Sequence, residues 1–424
     1  MSSDQGSLRR TLGLSDAVFI GVGSMIGAGV YSVWSPATRA AGSLLLVGLA
    51  VAALVANLNA RSTARLARLY PESGGTYVYG RECLGPRWGF LAGWGFVAGK
   101  TASCAAMAST IGAYLLPAHS RLIAVAAIIV MTLVNIGGLH RTVFVTRILL
   151  ALSAFVLLIV VVSGTSSPSY DPGSVWPLKD LADDRSTLRR GYDVLQSAGL
   201  LFFAFAGYAR IATLGEEVRD PERNISRAIG ISLSIVVVTY VAVGYALLAT
   251  VSPSQIAAAS DPLHRVVAAS SFENLAPFVR FGAVVAALGA LLNLLPGVSR
   301  TVLAMARRRD LPNYFAEVDR RRSLPVRAEA SIAMCTIMIV LIFDLRNSIA
   351  LSGVGVLIYY SITHLSSLSL SSTSRQRFTA VIGFAGCVGL VVCLPFSILL
   401  TGGGLILIGF IGRTLHLGLT NVRA

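Results

Sequence analysis

Residues 21–30 read GVGSMIGAGV, with glycine at positions 21, 23, 27 and 29. The run lies inside an apolar stretch that otherwise has the look of a helix. Glycine in a helix interior costs about 1 kcal/mol relative to alanine. Four glycines so close together make a continuous helix a poor solution, and the stretch reads as an interruption in the middle of a span. The surroundings show what kind of span it is. The chain has 424 residues, of which 54% are hydrophobic and 13% charged, against about 25% charged in an ordinary soluble domain. Mean hydropathy is +0.72. Apolar runs of about 20 residues recur along nearly the whole length, which is the signature of a polytopic membrane protein built of helices, not of barrel strands.

Working outward from the glycines, the hydropathy pattern predicts twelve spans, near residues 14–37, 43–60, 88–116, 122–139, 143–164, 194–214, 227–250, 278–306, 328–343, 348–370, 378–395 and 396–416. Pro395 is the only punctuation between the last two. The net charge of +15 does not point to nucleic acid, because the basic residues cluster in short loops between apolar runs. With the N-terminus inside, 23 of the 35 basic residues fall in inner segments and nine in outer ones, while Lys100, Arg210 and Arg300 lie within spans. The asymmetry predicts that both termini are cytoplasmic, in a multi-pass protein of the plasma membrane. The dense arginine cluster of residues 307–327 fits the same topology and contact with anionic lipid headgroups. The polar N-terminus has no small-residue cleavage site after a short apolar core, so no cleaved signal peptide is expected. Five scattered cysteines suggest neither a disulfide framework nor a metal site, and no cofactor is called for.

A second interruption is expected in span six. Its centre holds Ala206, Gly207, Tyr208, Ala209 and Arg210, small residues beside an arginine. Spans one and six each begin a group of five, and two interrupted helices at matching positions point to an inverted-repeat transporter. The expected organisation is an N-terminal tail (1–12), a first five-helix repeat (13–164), an outer loop (165–191), a second repeat (192–370), and two further helices with a tail (371–424). A broken helix exposes backbone groups that are tolerated in a membrane only where they line a cavity or meet a ligand. The half-helix beginning near Ala28 offers amides and a positive dipole end, suited to a carboxylate. The half ending near Met25 offers carbonyls, suited to an ammonium group or a cation. Glycine at 23, 27 and 29 permits close approach of a ligand. One carboxylate and one ammonium are the common part of an amino acid. Gly23 and Gly27 also fit the Gly-x-x-x-Gly spacing of close helix packing.

Four stretches then carry a resemblance. GSMIGAGVY at 23–31, YPESGGTYVYGRECLGPRWGFLAGW at 70–94, FAGYARIATLGEEVRDPERNISRAI at 205–229 and GVSRTVLAMARRRDLP at 297–312 are similar, in order and spacing, to motifs of the amino acid–polyamine–organocation superfamily of permeases, nearest its cationic-amino-acid-transporter-like branch. The resemblance covers residues 12 to about 370. It implies a LeuT-type fold of two inverted five-helix repeats plus two helices, and secondary transport of amino acids or related amines by alternating access. By position it places the substrate carboxylate on the amides of Gly27, Ala28 and Gly29, and the ammonium on the carbonyls of Met25, Phe203 and Ala206. Phe203 falls where the family has an aromatic gate. Tyr208, Thr101 and Asn293 are candidates for side-chain selectivity, and equally for interhelical hydrogen bonding.

Two departures from the family pattern stand out. Ser153 occupies the helix-five position where proton-coupled relatives often carry a lysine; a serine there is a candidate sodium ligand. Gly99 and Lys100 occupy the stretch where cationic-amino-acid transporters tend to have a glutamate. A lysine in mid-span costs about 3 kcal/mol on insertion scales and is a functional candidate by default. Lys100 is a candidate proton carrier, a counter-charge for an acidic substrate, or a structural donor to broken-helix carbonyls. Arg210 cannot release a proton and suits a structural role. Two interior cations without an acid argue against lysine or arginine as substrate. Glu216 and Glu217, at the inner end of span six, are candidates for a gate with inner-loop arginines or for a solvated helix end. The five histidines are dispersed, and His364 reads as a packing or hydrogen-bonding residue. The function read here is therefore uptake of a neutral or acidic amino acid coupled to protons, by a monomer or homodimer. Exchange, sodium coupling and a non-transporting sensor are the alternatives. No span carries an enzyme's cluster of acids and histidines.

Overall fold

A computed structural model describes residues 10–72, 74–137, 139–175, 186–259, 261–319 and 324–421. Much of the expected N-terminal tail, residues 176–185 of the long outer segment and Arg320, Arg321 and Arg322 of the inner arginine cluster lie outside the described residues. The described residues are nearly all helical and form no strand beyond two isolated bridges. In order the helices are α1 (Leu14–Met25), α2 (Ala28–Ser32), α3 (Trp34–Ala41), α4 (Leu45–Leu69), α5 (Thr76–Leu84), α6 (Pro86–Leu115), α7 (Ser120–Ile136), α8 (Leu139–Thr165) and α9 (Thr187–Phe205). They continue with α10 (Ala209–Ala212), α11 (Pro221–Thr250), α12 (Pro253–Ala258), α13 (Pro262–Ala268), α14 (Ala276–Arg307), α15 (Val326–Ile342), α16 (Leu345–Ser369), α17 (Ser374–Val392) and α18 (Phe396–Asn421).

Ten of the helical segments among the described residues are long and apolar enough to cross a membrane. The other two of the twelve expected spans are present as α6 and α15, and each falls short for its own reason. With 17 residues α15 sits at the short end of the spanning range. The 30 residues of α6 suffice in length but include many glycine, serine and threonine residues and Lys100. That composition follows from its position. The helix runs between α14 and α16, and its small residues face protein instead of lipid. A β-carbon on Gly99 would lie 3.2 Å from the Cα of Gly355 on α16, so the two backbones touch. At its start Gly85 adopts φ +101, a conformation that other residues rarely take, and Pro86 opens the helix.

Large apolar side chains outside the core, among them Leu122, Leu133, Phe155, Val238 and Phe378, are exposed. Patches of this size on a soluble monomer would drive association; around a bundle of spans they face hydrocarbon. The polar residues point inward instead, and Asn59, Lys100, Arg210, Asn293, Arg300 and Glu329 are all buried.

Candidate transport site

The helix that begins the chain breaks between α1 and α2. Ile26 has ψ +78 and Gly27 is extended (φ −135, ψ −151), so two residues leave helical geometry. The Ile26 amide still reaches the Val22 carbonyl at 2.7 Å, and the Gly27 amide donates to Met25 at 2.9 Å. The second break follows α9, where Ala206–Tyr208 form a tighter 3-10 turn before the one-turn helix α10. The two breaks lie against each other. A β-carbon on Gly207 would collide with the Ser24 carbonyl and the Met25 amide, so only glycine allows this approach. The other glycines are filled by neighbours in the same way. Gly27 abuts Ala290 of α14, Gly29 abuts Ala204 of α9, and Gly23 faces Thr146 and Asn293.

Two side chains bind the carbonyls released by the breaks. The Tyr240 hydroxyl, from α11, donates to Met25 at 2.7 Å and lies 3.2 Å from the Ala204 carbonyl, joining the first break to the second. The Lys100 Nζ, from α6, donates to the Ala206 carbonyl at 2.8 Å. Lys100 is only 3% exposed, so this carbonyl is its anchor in an interior where a bare ammonium would be untenable. All three carbonyls that the resemblance assigned to a substrate ammonium therefore carry a protein donor here, the Phe203 carbonyl accepting from the Ala206 amide.

The remaining expected residues divide between the breaks and other surfaces. Asn293 of α14 stands beside Gly23, where it accepts from Thr146 (3.1 Å) and donates to Gly289 (2.7 Å). Phe203 is buried at the end of α9. Arg210 donates to the Asn293 carbonyl at 2.8 Å and to the Thr213 hydroxyl at 2.9 Å. One acceptor thus lies on α14 and the other just past α10. Tyr208 packs against Tyr360 with ring planes tilted by 33° and centroids 5.3 Å apart, and it faces Asn59. The Thr101 hydroxyl folds back on Val97 at 2.6 Å, and the residue lines an apolar crevice toward α15 and α18. Ser153 is likewise committed to its own helix, donating to Leu149 at 2.8 Å. Among the described residues no group of three or more His, Cys, Asp or Glu side chains could hold a metal.

The sequence is similar to those of known permeases and transporters. A family model described as Amino acid permease matches residues 12–412. The chain is 49% identical over 404 residues to an uncharacterized transporter of Mycobacterium tuberculosis, covering 95% of this chain and 90% of that protein. It is 27% identical over 393 residues to the vacuolar cationic amino acid transporter 2 of Arabidopsis thaliana, covering 86% of this chain and 60% of that protein. Human cationic amino acid transporter 4 is 26% identical over 388 residues, covering 85% and 59% respectively. The chain belongs to the amino acid permease family. It is a multi-pass membrane transporter, not an enzyme.

Polar groups elsewhere in this permease are paired as well, the gate candidates Glu216 and Glu217 among them. Pro296 sits inside α14 and has no amide to give the carbonyl of Leu292, four residues back. Asn135 of α7 donates to that carbonyl at 3.0 Å. Arg300, one turn further on, is ion-paired with Glu217 in the buried interior and also donates to Pro296 at 3.0 Å. The Glu217 carbonyl accepts from Thr11 and Leu12, each at 3.0 Å, so the segment before α1 is stitched to the segment after α10. Glu216 pairs with Arg307 at 3.0 Å. Glu329, at the start of α15, is fully buried with Arg300, Arg210 and Asn135 around it. A lone glutamate in the apolar run AEASIAM was its only signal. His364 does bridge helices. Its Nε2 meets the Asn59 Oδ1 at 2.6 Å and its Nδ1 the Ser62 hydroxyl at 3.1 Å, so the acceptor-only Oδ1 assigns the ring hydrogen to Nε2.

Proposed function

We propose that this permease is a secondary active transporter that takes up a neutral or acidic amino acid together with protons, by alternating access of two inverted five-helix repeats (13–164 and 192–370) of LeuT type, with 1–12, 165–191 and 371–424 as tail, outer loop and accessory helices. The substrate carboxylate meets the amides of Gly27, Ala28 and Gly29, and its ammonium takes the place of the protein donors on the carbonyls of Met25, Phe203 and Ala206. Phe203 closes over the substrate, and Asn293 contacts its side chain. The arginine asymmetry supports a plasma-membrane protein with both termini inside.

The observation that carries the reading is the Lys100–Ala206 bond. A charged Lys100 fastens α6 to the second break, and loss of its proton weakens that fastening from a charge-assisted to a neutral hydrogen bond. Proton binding and the shape of the site are thereby linked through one hydrogen bond. The buried Glu329 beside Arg210 overturns the expectation of two interior cations without an acid, and Lys100 alone, held by a carbonyl and not by a carboxylate, opposes a cationic substrate, which supports a neutral or acidic cargo. The resemblance to cationic amino acid transporters implies a glutamate in this stretch, where the chain carries Gly99 and Lys100.

The test is uptake of labelled amino acids into liposomes holding the purified protein, under a proton gradient, a sodium gradient or an amino-acid preload alone. Neutral or acidic amino acids are expected to enter with the proton gradient, and K100A to abolish that uptake. Uptake only from preloaded vesicles would replace symport by exchange. Binding without any uptake would make the protein a sensor, and equal arginine uptake by wild type and K100A would remove the argument from charge.

A further inference from the structure

At the end of the bundle that the arginine distribution places inside, α4, α16 and α17 line an open surface cavity of about 210 Å³, with Arg61 and Arg375 exposed at its rim. Three arginines line it, Arg61 and Arg65 from α4 and Arg375 from the first turn of α17, and no acidic side chain does. Arg65 is tied down. It donates to the Ser367 carbonyl and the Ser371 hydroxyl, each at 3.2 Å, and to the Leu370 carbonyl, where the last carbonyls of α16 attract a cation. Among the described residues the guanidinium groups of Arg61 and Arg375 have neither a hydrogen-bond nor an ion-pair partner. The 19-residue helix α17 also starts at this cavity, with Gln376 in its wall, so its positive dipole end adds to the field.

Two unpartnered guanidinium groups beside a fixed third, without an acid to neutralise them, form a cradle for a phosphate-bearing anion. The exposed apolar face of α17 beside the cavity bears on which anion. Along α17, Phe378, Val381 and Ile382 are 67%, 50% and 40% exposed, and they continue from the cavity toward the middle of the bundle as an apolar face. A soluble phosphate has no use for that face, whereas the acyl chains of a lipid lie along it. We propose that this cavity is a specific site for the headgroup phosphate of an anionic phospholipid of the inner leaflet, clamped by Arg61 and Arg375. The site is independent of the proposed substrate and its coupling.

The experiment titrates short-chain phosphatidylglycerol, phosphatidylcholine and inorganic phosphate against the purified protein in neutral detergent, with lipid binding read by native mass spectrometry. Wild type is expected to bind phosphatidylglycerol in preference to phosphatidylcholine. R61Q/R375Q is expected to weaken that binding roughly thirtyfold, from the usual worth of an arginine near an anionic headgroup. R223Q/R227Q, which removes two exposed charges from α11, is expected to bind like wild type. Circular dichroism checks that both variants remain folded. Equal loss in the two double variants would mean general surface charge and overturn the site, as would unchanged binding by R61Q/R375Q. Competition by inorganic phosphate at the same concentration as lipid would keep an anion site and overturn the lipid as its ligand.

Discussion

Lys100 and Arg210 are both cations inside a membrane protein, yet their surroundings set them apart. Each ends on a backbone carbonyl, of Ala206 and Asn293 respectively. Only the lysine has a proton to give up at accessible pH. A substitution that keeps the bond but removes the exchangeable proton separates the two roles. K100R is expected to retain substrate binding while proton-driven uptake falls at least a hundredfold, whereas K100A loses both. Binding is read by isothermal titration and uptake in the same liposomes. Full proton-driven uptake by K100R would confine Lys100 to a structural role. Thr101, adjacent to Lys100, shows what residue identity alone cannot convey. Neighbours on a helix point about 100° apart, so when Lys100 faces the break Thr101 faces another helix.

At the scale of elements, the two interruptions were legible because glycine and small residues in a span have few other uses. Their juxtaposition was not legible, since Gly207 and Ser24 are far apart along the chain and meet only through packing. Close packing and ligand access are both served by the same glycines, and a compensating pair distinguishes them. G27A forces a β-carbon into Ala290, an overpacking expected to cost about 1–3 kcal/mol and to lower the unfolding midpoint in detergent. G27A/A290G removes the opposing methyl group and is expected to recover the midpoint. If uptake recovers with it, Gly27 serves packing alone. Recovered stability with uptake still lost, the outcome expected here, places the substrate against the Gly27 backbone.

Over the whole molecule, the elements are joined at one end by buried charge. Asp310, just past α14, accepts from Tyr77 (2.7 Å) and Arg81 (2.6 Å) of the loop helix α5, and from Arg413 (2.7 Å) of α18. Burial and the neighbouring carboxylate hold the Tyr77 hydroxyl above its usual range, so it stays a donor. Apart from this clamp and the Trp94 indole bonded to Leu405 at 2.9 Å, α18 shows mostly exposed side chains. D310A leaves two arginines without their shared acid and is expected to cost about 3–5 kcal/mol. R413A leaves Asp310 paired with Arg81 and is expected to cost about 1–2 kcal/mol. Unfolding midpoints of the two variants check the order, and a larger loss in R413A would show that α18 is held by packing instead.

Hydropathy and glycine placement in the chain alone determined that this protein spans a membrane with helices, where two of those helices break, and which end carries the arginines. Those properties depend on local composition: an apolar run must be buried or lipid-facing, and a glycine cluster weakens its own helix whatever surrounds it. Only the tertiary structure decided that Lys100 bonds to Ala206, that Tyr240 joins the two breaks, that Arg300 meets Glu217, and that Thr101 and Tyr208 face away to other helices. Each buried donor must find an acceptor, and which one it finds is settled by helices that pack together from distant parts of the chain.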